Sequence, residues 1–154
     1  MPILNGTYYC KMDAKGRVML PVELRKQLSE LQIDKFVLKR AVFHNNLEMY
    51  PEPVWEKLMT KLNKLNRFNK KNVIFLTRFL AGVRFVTIDA TGRMQIPKSL
   101  VNDAGLKKDI VITSAIETLE IWDRETYEKF LEESAKDFES LAEEVMGNIN
   151  FDDE

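Results

Sequence analysis

The sequence predicts an α+β protein made of two β-β-α-β-β-α repeats with peripheral helices, and an internal repeat is the main reason. Residues 13–21 read DAKGRVMLP, and residues 89–97, which begin 76 positions later, read DATGRMQIP. Asp, Ala, Gly, Arg and Pro recur at identical spacing, and Leu20 corresponds to Ile96. The chain is therefore expected to contain two similar halves that share one core.

The repeated segment has the composition of a turn between two strands. Asp at the start and Gly near the end favour a type I turn, and Gly readily takes a positive φ. Apolar residues alternate on both sides, and the final Pro ends the strand because it cannot donate to a ladder. We expect a first hairpin over residues 7–12 and 17–20, with Lys15 and Arg17 at its tip, and a second hairpin with Arg93 at its tip. Four residues are assigned a structural role in these turns: Asp13, Gly16, Asp89 and Gly92.

The elements after each turn also correspond. Pro21 is suited to the first turn of a helix over about residues 21–31. The apolar segments that follow predict two strands in each half, and their positions are 36–38, 47–50, 110–112 and 119–122. Between the halves, apolar spacing predicts helices over about residues 53–66 and 69–80.

The last helix is expected to start at an Asp123 N-cap and to continue to about residue 146, with one apolar and one acidic face. The domain organisation that we predict has three parts. Residues 1–80 form the first repeat with its connecting helices, residues 81–147 form the second repeat with the acidic helix, and residues 148–154 form a frayed acidic tail.

Charge is distributed unevenly along the chain. The net charge is −1, but residues 1–76 contain 14 basic and 7 acidic residues, whereas residues 77–154 contain 9 and 17. No acidic residue lies between Glu56 and Asp89. This basic stretch is interpreted as a solvated face, a surface that attracts phosphates, or a surface that attracts the acidic helix of a neighbouring subunit.

Several classes of protein are disfavoured. No signal peptide and no apolar run long enough to span a membrane are visible, and a single cysteine fits a reducing cytoplasm. Cys10 has no histidine near it in the sequence, so an inert thiol is expected. His44, the only histidine, lies in a predicted turn. We therefore expect no catalytic residues, no metal site, no cofactor and no enzyme activity.

At these residues the chain resembles a known family. Residues 9–28, YCKMDAKGRVMLPVELRKQL, resemble the N-terminal segment of AbrB-type transition-state regulators, which have the swapped-hairpin DNA-binding fold. Two copies of Asp-x-x-Gly-Arg in a chain of this length resemble the MraZ family of bacterial transcriptional regulators, which is tied to the division and cell-wall gene cluster. The similarity covers residues 1–147 approximately.

The resemblance implies a pseudo-twofold, β-barrel-like core and a ring-shaped homo-oligomer that binds short direct repeats in a promoter. It also implies a cytoplasmic protein associated with the nucleoid, with double-stranded DNA as its partner. DNA contacts of the family correspond to Arg17 and Arg93, and two helix contacts of single-copy relatives correspond to Arg25 and Lys26. Lys15 adds a cation to the first tip. Because Val101 and Asn102 occupy the matching helix positions, the first tip is expected to make more phosphate contacts than the second.

Other functions remain open beside DNA binding. Arg17 and Arg93 would also suit an ion pair at a subunit contact. The alternative function is that of a protein-binding module, as in antitoxins that share this hairpin fold and use a flexible acidic C-terminus. A folded second repeat before the tail, and an apolar face on the last helix, disfavour that alternative.

Overall fold

A computed structural model describes residues 3–152, which contain eight β-strands and six α-helices. The strands are β1 (Thr7–Lys11), β2 (Arg17–Met19), β3 (Lys35–Arg40), β4 (Leu47–Pro51), β5 (Arg84–Thr87), β6 (Arg93–Gln95), β7 (Asp109–Ala115) and β8 (Thr118–Asp123). The helices are α1 (Val22–Glu30), α2 (Glu52–Leu62), α3 (Lys70–Phe79), α4 (Lys98–Asp103), α5 (Arg124–Ser134) and α6 (Phe138–Gly147).

The order of the elements confirms the predicted fold class. β1, β2, α1, β3, β4 and α2 form the first β-β-α-β-β-α series, and β5, β6, α4, β7, β8 and α5 form the second. Helix α3 connects the two series. The chain divides into two compact units, with the boundary between Arg124 and Glu125. The first unit contains all eight strands, and the second contains most of α5 together with α6.

Both sheets relate the two repeats by an approximate twofold axis. The larger sheet has six strands in the order β1-β7-β8-β4-β3-β5, and the smaller sheet pairs β2 with β6. Every pair is antiparallel. Since β5 corresponds to β1, β7 to β3 and β8 to β4, the axis passes between the central strands β4 and β8. Each repeat therefore contributes its first strand to the edge of the other repeat's half of the sheet.

The two local hairpins predicted from the sequence are wrong in their pairing. β1 pairs with β7 and β2 pairs with β6, so both partners come from the second repeat. Among the described residues, the two arms of the first turn share an isolated bridge between Met12 and Val18 and the turn bond from Asp13 N to Arg17 O, but no ladder. The alternating pattern is satisfied by either partner, but exchange between repeats places Val18 and Met94 at the centre of a shared core, where they are 0% and 1% exposed.

The six-stranded sheet has two different faces. Phe36 and Leu38 of β3 point into the main core, which also contains Val18 and Leu24. We call this side the core face. Val37 lies on the opposite side, the outer face, in a second cluster with Tyr50 and Trp55. Leu58 and Met59 of α2 and Phe79 of α3 pack against this second cluster. The β2–β6 ladder and helices α2 and α3 consequently lie on opposite sides of the sheet.

Local side-chain bonds explain where the helices differ from their predicted limits. Helix α2 ends at Leu62, earlier than predicted, and Asn66 then accepts from Phe68 N through Oδ1 at 3.0 Å. Asn69 caps α3 by accepting from Lys71 N at 3.0 Å. Asparagine bonds to nearby backbone in this way favour turns over continued helix.

The predicted continuous C-terminal helix is interrupted. A 3₁₀ turn, Ala135–Asp137, separates α5 from α6. The hydroxyl of Ser134 donates to Phe130 O at 2.8 Å, and such bonds to the preceding turn bend helices. Residues 148–152 contain turns and no helix, while the predicted tail residues Asp153 and Glu154 lie outside the described residues.

The two turns are locked to each other through glycine carbonyls. Ile96 N donates to Gly16 O at 2.8 Å, and Leu20 N donates to Gly92 O at 3.0 Å. Gly16 has φ +83°, and a Cβ added there would lie 2.5 Å from the carbonyl oxygen of Ile96. Only glycine fits this position without displacing backbone of the other repeat.

Gly16→Ala is therefore expected to lower the free energy of unfolding by about 1–3 kcal/mol, because the side chain adds strain at a positive φ as well as a backbone clash. Urea denaturation measures the change. Gly147→Ala is the matched control, since Gly147 lies at the end of α6 and an added Cβ meets nothing within 4 Å. Equal stability of Gly16→Ala and the wild-type protein would contradict the close packing of the two turns.

Candidate nucleic-acid interface

The β2–β6 ladder brings the repeated arginines together on one exposed surface. Arg17 is opposite Gln95, and Met19 is opposite Arg93. These four side chains are exposed, whereas Val18 and Met94 between them point into the core. We call the exposed face of Arg17, Met19, Arg93 and Gln95 the ribbon face. Arg17 and Arg93 are diagonal neighbours on it, although they are far apart in the sequence.

The first turn uses the Asp13 carboxylate to order both backbone and side chain. Asp13 Oδ1 accepts from Lys15 N and from Arg17 N, each at 2.9 Å. Asp13 Oδ2 accepts from Arg17 Nε at 2.7 Å, which leaves the two terminal nitrogens of the guanidinium for other partners. The Lys15 side chain is exposed at the tip, and Gln95 Nε2 donates to Lys15 O at 3.2 Å.

The second turn repeats the backbone geometry but not the ion pair. Asp89 Oδ1 accepts from Thr91 N and Arg93 N, each at 2.9 Å, and from the Thr91 hydroxyl at 2.6 Å. Within residues 3–152, the Arg93 guanidinium has no hydrogen bond or ion pair. Thr91 replaces Lys15, and its hydroxyl bonds Asp89 Oδ1, whereas the arginine of the first turn bonds the other oxygen, Oδ2, of Asp13.

Hydrogen bonding keeps both aspartates ionised. The pKa of Asp13 is lowered from its ordinary value of 3.8 by bonds from the Arg17 backbone and side chain. The pKa of Asp89 is lowered by the Thr91 hydroxyl and then by the Arg93 backbone. Because the pKa of each carboxyl is lower in the folded state than in the unfolded state, its hydrogen bonds stabilise the fold at neutral pH. This stabilisation is lost only as the pH falls below the ordinary carboxyl range. At neutral pH both carboxylates accept hydrogen bonds within their turns.

Helix α1 places one of its two basic residues, Arg25, differently from the sequence-based prediction. Arg25 Nε donates to Leu20 O at 2.9 Å. Its side chain lies over the second turn, where a Cβ on Gly92 would come within 2.4 Å of Arg25 Cδ. The expectation that Arg25 adds its charge to the first tip is wrong, because Arg25 lies over the tip that has Arg93. That the first tip makes more phosphate contacts stays a prediction. Lys26 is exposed on α1.

The ribbon face has the shape and charge that nucleic-acid recognition requires. A two-stranded ribbon fits the major groove of B-DNA, and an arginine there can donate two bonds to one guanine. Lys15 at the tip and Lys26 on α1 are cations of the type that neutralise phosphates. The aspartates on the same surface are occupied by hydrogen bonds within their turns.

Two members of the ribbon face were not identified from the sequence. Met19 and Gln95 occupy equivalent positions, two residues after Arg17 and Arg93. Strict alternation of exposed and buried positions over 17–19 and 93–95 is the signal that would have identified them, once these segments were recognised as one ladder. The placement of Arg25 over the other repeat has no local sequence signal.

The remaining candidate residues do not form a second site of chemistry. Cys10 is buried, and desolvation raises its thiol pKa to about 11, so the thiol is protonated at neutral pH. His44 lies beside Trp122, with ring centroids 6.1 Å apart. In the described part of the chain, three or more metal-binding side chains nowhere cluster, and no helix is long and apolar enough to cross a membrane.

Comparison with known proteins identifies the family. The family model described as "MraZ protein, putative antitoxin-like" matches twice, over residues 3–78 and 79–149. Transcriptional regulator MraZ of Christiangramia forsetii is 57% identical over 149 residues, covering 97% of this chain and 96% of the relative. Transcriptional regulator MraZ of Flavobacterium psychrophilum is 55% identical over 153 residues, covering 99% and 98%. With both repeats matched and relatives of this similarity, the chain belongs to the MraZ family of transcriptional regulators.

Proposed function

We propose that this protein is a sequence-specific, DNA-binding transcriptional regulator that uses the ribbon face for recognition. One observation carries the proposal: Arg17 and Arg93, from distant parts of the chain, lie as neighbours on one exposed two-stranded ribbon. In this proposal the ribbon enters the major groove, and each guanidinium reads a base. Lys15, Arg25 and Lys26 contact phosphates. No catalytic step and no cofactor is part of the proposed function.

The two arginines have different roles in the proposed complex. Arg17 is held by Asp13 through Nε, so its terminal nitrogens are oriented before DNA arrives. Arg93 has no such bond within the described residues and orders on binding, which costs side-chain entropy. Oriented donors favour bidentate recognition of one base, so Arg17 makes the more specific contact.

The proposed target is a set of short direct repeats in a promoter, that of the division and cell-wall gene cluster containing the protein's own gene. One ribbon presents few base contacts, and several ribbons on one assembly would bind successive repeats with an avidity gain of about 10²–10⁴. A ring-shaped homo-oligomer provides this arrangement. The proposal places the protein in the cytoplasm, on the nucleoid.

Exposed apolar surface and complementary charge support assembly. Val73 of α3 and Leu80 at the end of that helix are 42% and 40% exposed, and Lys70 lies one turn before Val73. The C-terminal helix α6 has exposed apolar residues among acidic ones; the apolar members are Phe138, Leu141 and Val145. A contact between these two surfaces of neighbouring copies is heterologous, and contacts of this type form a ring when the rotation between copies closes.

Replacement of either arginine tests the proposed interface. We expect Arg17→Ala to weaken binding to the upstream region of the gene by about 10–100-fold and to reduce discrimination against a scrambled duplex, because each base-reading arginine contributes about 1–3 kcal/mol. Arg93→Ala is expected to act in the same direction with a smaller effect. A mobility-shift titration at fixed salt measures both. Lys71→Ala, a charge removed from the opposite side of the sheet, is the control.

Conservative variants separate base reading from phosphate binding. Arg17→Lys keeps the charge but loses the bidentate fork, so specificity should fall while binding to scrambled DNA is retained. Wild-type discrimination in a folded Arg17→Ala protein would overturn the assignment of the ribbon face. Absence of DNA binding by the wild-type protein, with capture of a protein partner, would favour the antitoxin-like alternative.

The lysines are expected to affect salt dependence rather than specificity. Lys15→Ala and Lys26→Ala should each lower the slope of log K against log salt by about 1, since each removes one phosphate contact and its counterion release. Titrations at several salt concentrations, on target and scrambled duplexes, provide the slopes. An unchanged slope would exclude that lysine from the interface.

Assembly is testable without DNA. We expect light scattering to give a mass several times the 18.0 kDa of one chain, with dissociation promoted by salt because opposite charges contribute to the contact. Val73→Glu should shift the population toward smaller species. A monomeric wild-type protein at micromolar concentration would contradict the ring.

A further inference from the structure

A cleft on the outer face of the sheet is not used by the proposed DNA interface. It has a volume of about 370 Å³ and lies between α3 and the β3–β4 loop, residues 41–46. Ligand sites for small molecules are typically about 300–1,000 Å³. Its lining includes buried, aromatic and cationic side chains. It therefore offers both apolar surface and positive charge to a ligand.

The cleft is an asymmetric addition to an otherwise symmetric scaffold. Six residues join β3 to β4, whereas only Ile116 and Glu117 join β7 to β8. The longer loop forms one wall of the cleft. Lys39, in the floor of the cleft, corresponds to Thr113 in the other repeat. Lys39 is opposite Glu48 on the neighbouring strand, and Thr113 is opposite Glu120 in the same way. The fold therefore forms without a lysine at this position.

Burial of the Lys39 ammonium has the largest desolvation cost among the features that distinguish the cleft from the second repeat. The Lys39 side chain is 2% exposed, and taking an ammonium out of water is strongly unfavourable unless it is paired. Glu48 Oε1 accepts from Nζ at 3.1 Å, Arg40 O also accepts from it, and Nζ lies 4.2 Å from the ring centroid of Phe79. These contacts hold a positive charge beneath the cleft and fix the Phe79 ring.

Two guanidiniums at the cleft have spare hydrogen-bonding capacity. The Arg78 guanidinium makes no hydrogen bond or ion pair with any residue from 3 to 152. Arg40 is 3.8 Å from Asp103, which is long for a hydrogen bond. Both side chains line the cleft. Arginine donors of this kind bind phosphate or carboxylate groups in bidentate fashion.

Aromatic rings provide the complementary apolar surface. Phe75 and Phe79 have centroids 5.2 Å apart, and Phe79 stacks on Trp55 at 6.3 Å. Phe75 is 42% exposed, so part of its ring is accessible to a ligand. A planar group could pack there while its acidic group reached the arginines.

We propose that this cleft binds a small aromatic anion of the nucleotide class, with the ring system on Phe75 and Phe79 and the phosphate on Arg78 and Arg40. The site is separate from the ribbon face. Lys39 and Val37 point to the outer face, whereas the β2–β6 ladder packs through Val18 against the core face. An occupant of the cleft does not overlap DNA on the ribbon.

Tryptophan fluorescence and calorimetry test the site on the full chain. The chain has two tryptophans, and each contacts a residue that lines the cleft. Trp55 stacks on Phe79, and Trp122 lies beside His44. The probes are adenosine 5′-monophosphate, adenosine and inorganic phosphate. We expect saturable quenching by the monophosphate, with adenosine and phosphate each binding about tenfold or more weakly, because each lacks one half of the recognition.

Variants locate the binding. Arg78→Ala and Lys39→Thr should each lower the affinity for the monophosphate by about tenfold or more. Threonine is chosen because it is the residue at the equivalent position of the second repeat. Lys71→Ala on the same helix, and Arg17→Ala on the ribbon face, should bind it as the wild type does. Unfolding midpoints establish that all four variants are folded.

Several results would overturn the proposal. The first is the absence of saturable monophosphate binding. The second is wild-type affinity for the monophosphate in folded Arg78→Ala, and the third is a loss of affinity in Lys71→Ala equal to that in Arg78→Ala. Loss in Arg17→Ala alone would assign the probe to the ribbon face. Equal affinity for adenosine would exclude the role of the arginines, and equal affinity for phosphate would exclude that of the aromatic rings. Because DNA is absent from this experiment, its outcome does not depend on the proposed function.

Discussion

The exchange of backbone hydrogen bonds between the two turns is the constraint on which the rest of the structure depends. Ile96 N bonds Gly16 O, and Leu20 N bonds Gly92 O, so each turn is completed by the strand of the other repeat. This exchange places Val18 and Met94 at the centre of the core and leaves their neighbours exposed on one ribbon. Core packing and the proposed DNA contacts therefore have the same origin.

Equivalent positions in the two repeats have diverged where symmetry is not required for packing. Asp, Gly and Arg are retained in both turns, but Lys15 corresponds to Thr91, and Arg25 corresponds to Val101. The Thr91 hydroxyl bonds Asp89 in the second turn, where the first turn has an ion pair between Arg17 and Asp13. Arg25 lies over the turn that lacks a lysine. The proposed interface is consequently near-symmetric in shape but not in chemistry, which would suit the direct repeats proposed as its target.

The sequence was sufficient for the fold class and for most elements, because the repeat and the apolar periodicity are local signals. The limits of α1 and β3 were close to those predicted. Strand partners could not be predicted in this way, since the pattern around Val18 is satisfied equally by a local hairpin or by β6. For the same reason Met19, Gln95 and the placement of Arg25 were not identified. From the sequence alone, Lys39 would be predicted to be exposed, like Arg40 beside it. Its burial becomes understandable only when the strand register places it opposite Glu48.

The pairing of β1 with β7 has a consequence for how the chain is made. Thr7 bonds Thr113 across 106 residues of sequence, and long-range pairings of this kind slow folding. During synthesis the first repeat leaves the ribosome with β1 and β2 unpartnered, and its core remains open until the second repeat has been translated. We therefore expect the two halves to fold together, although the sequence contains tandem copies. The nascent first half would present free strand edges, which favour pairing with another chain.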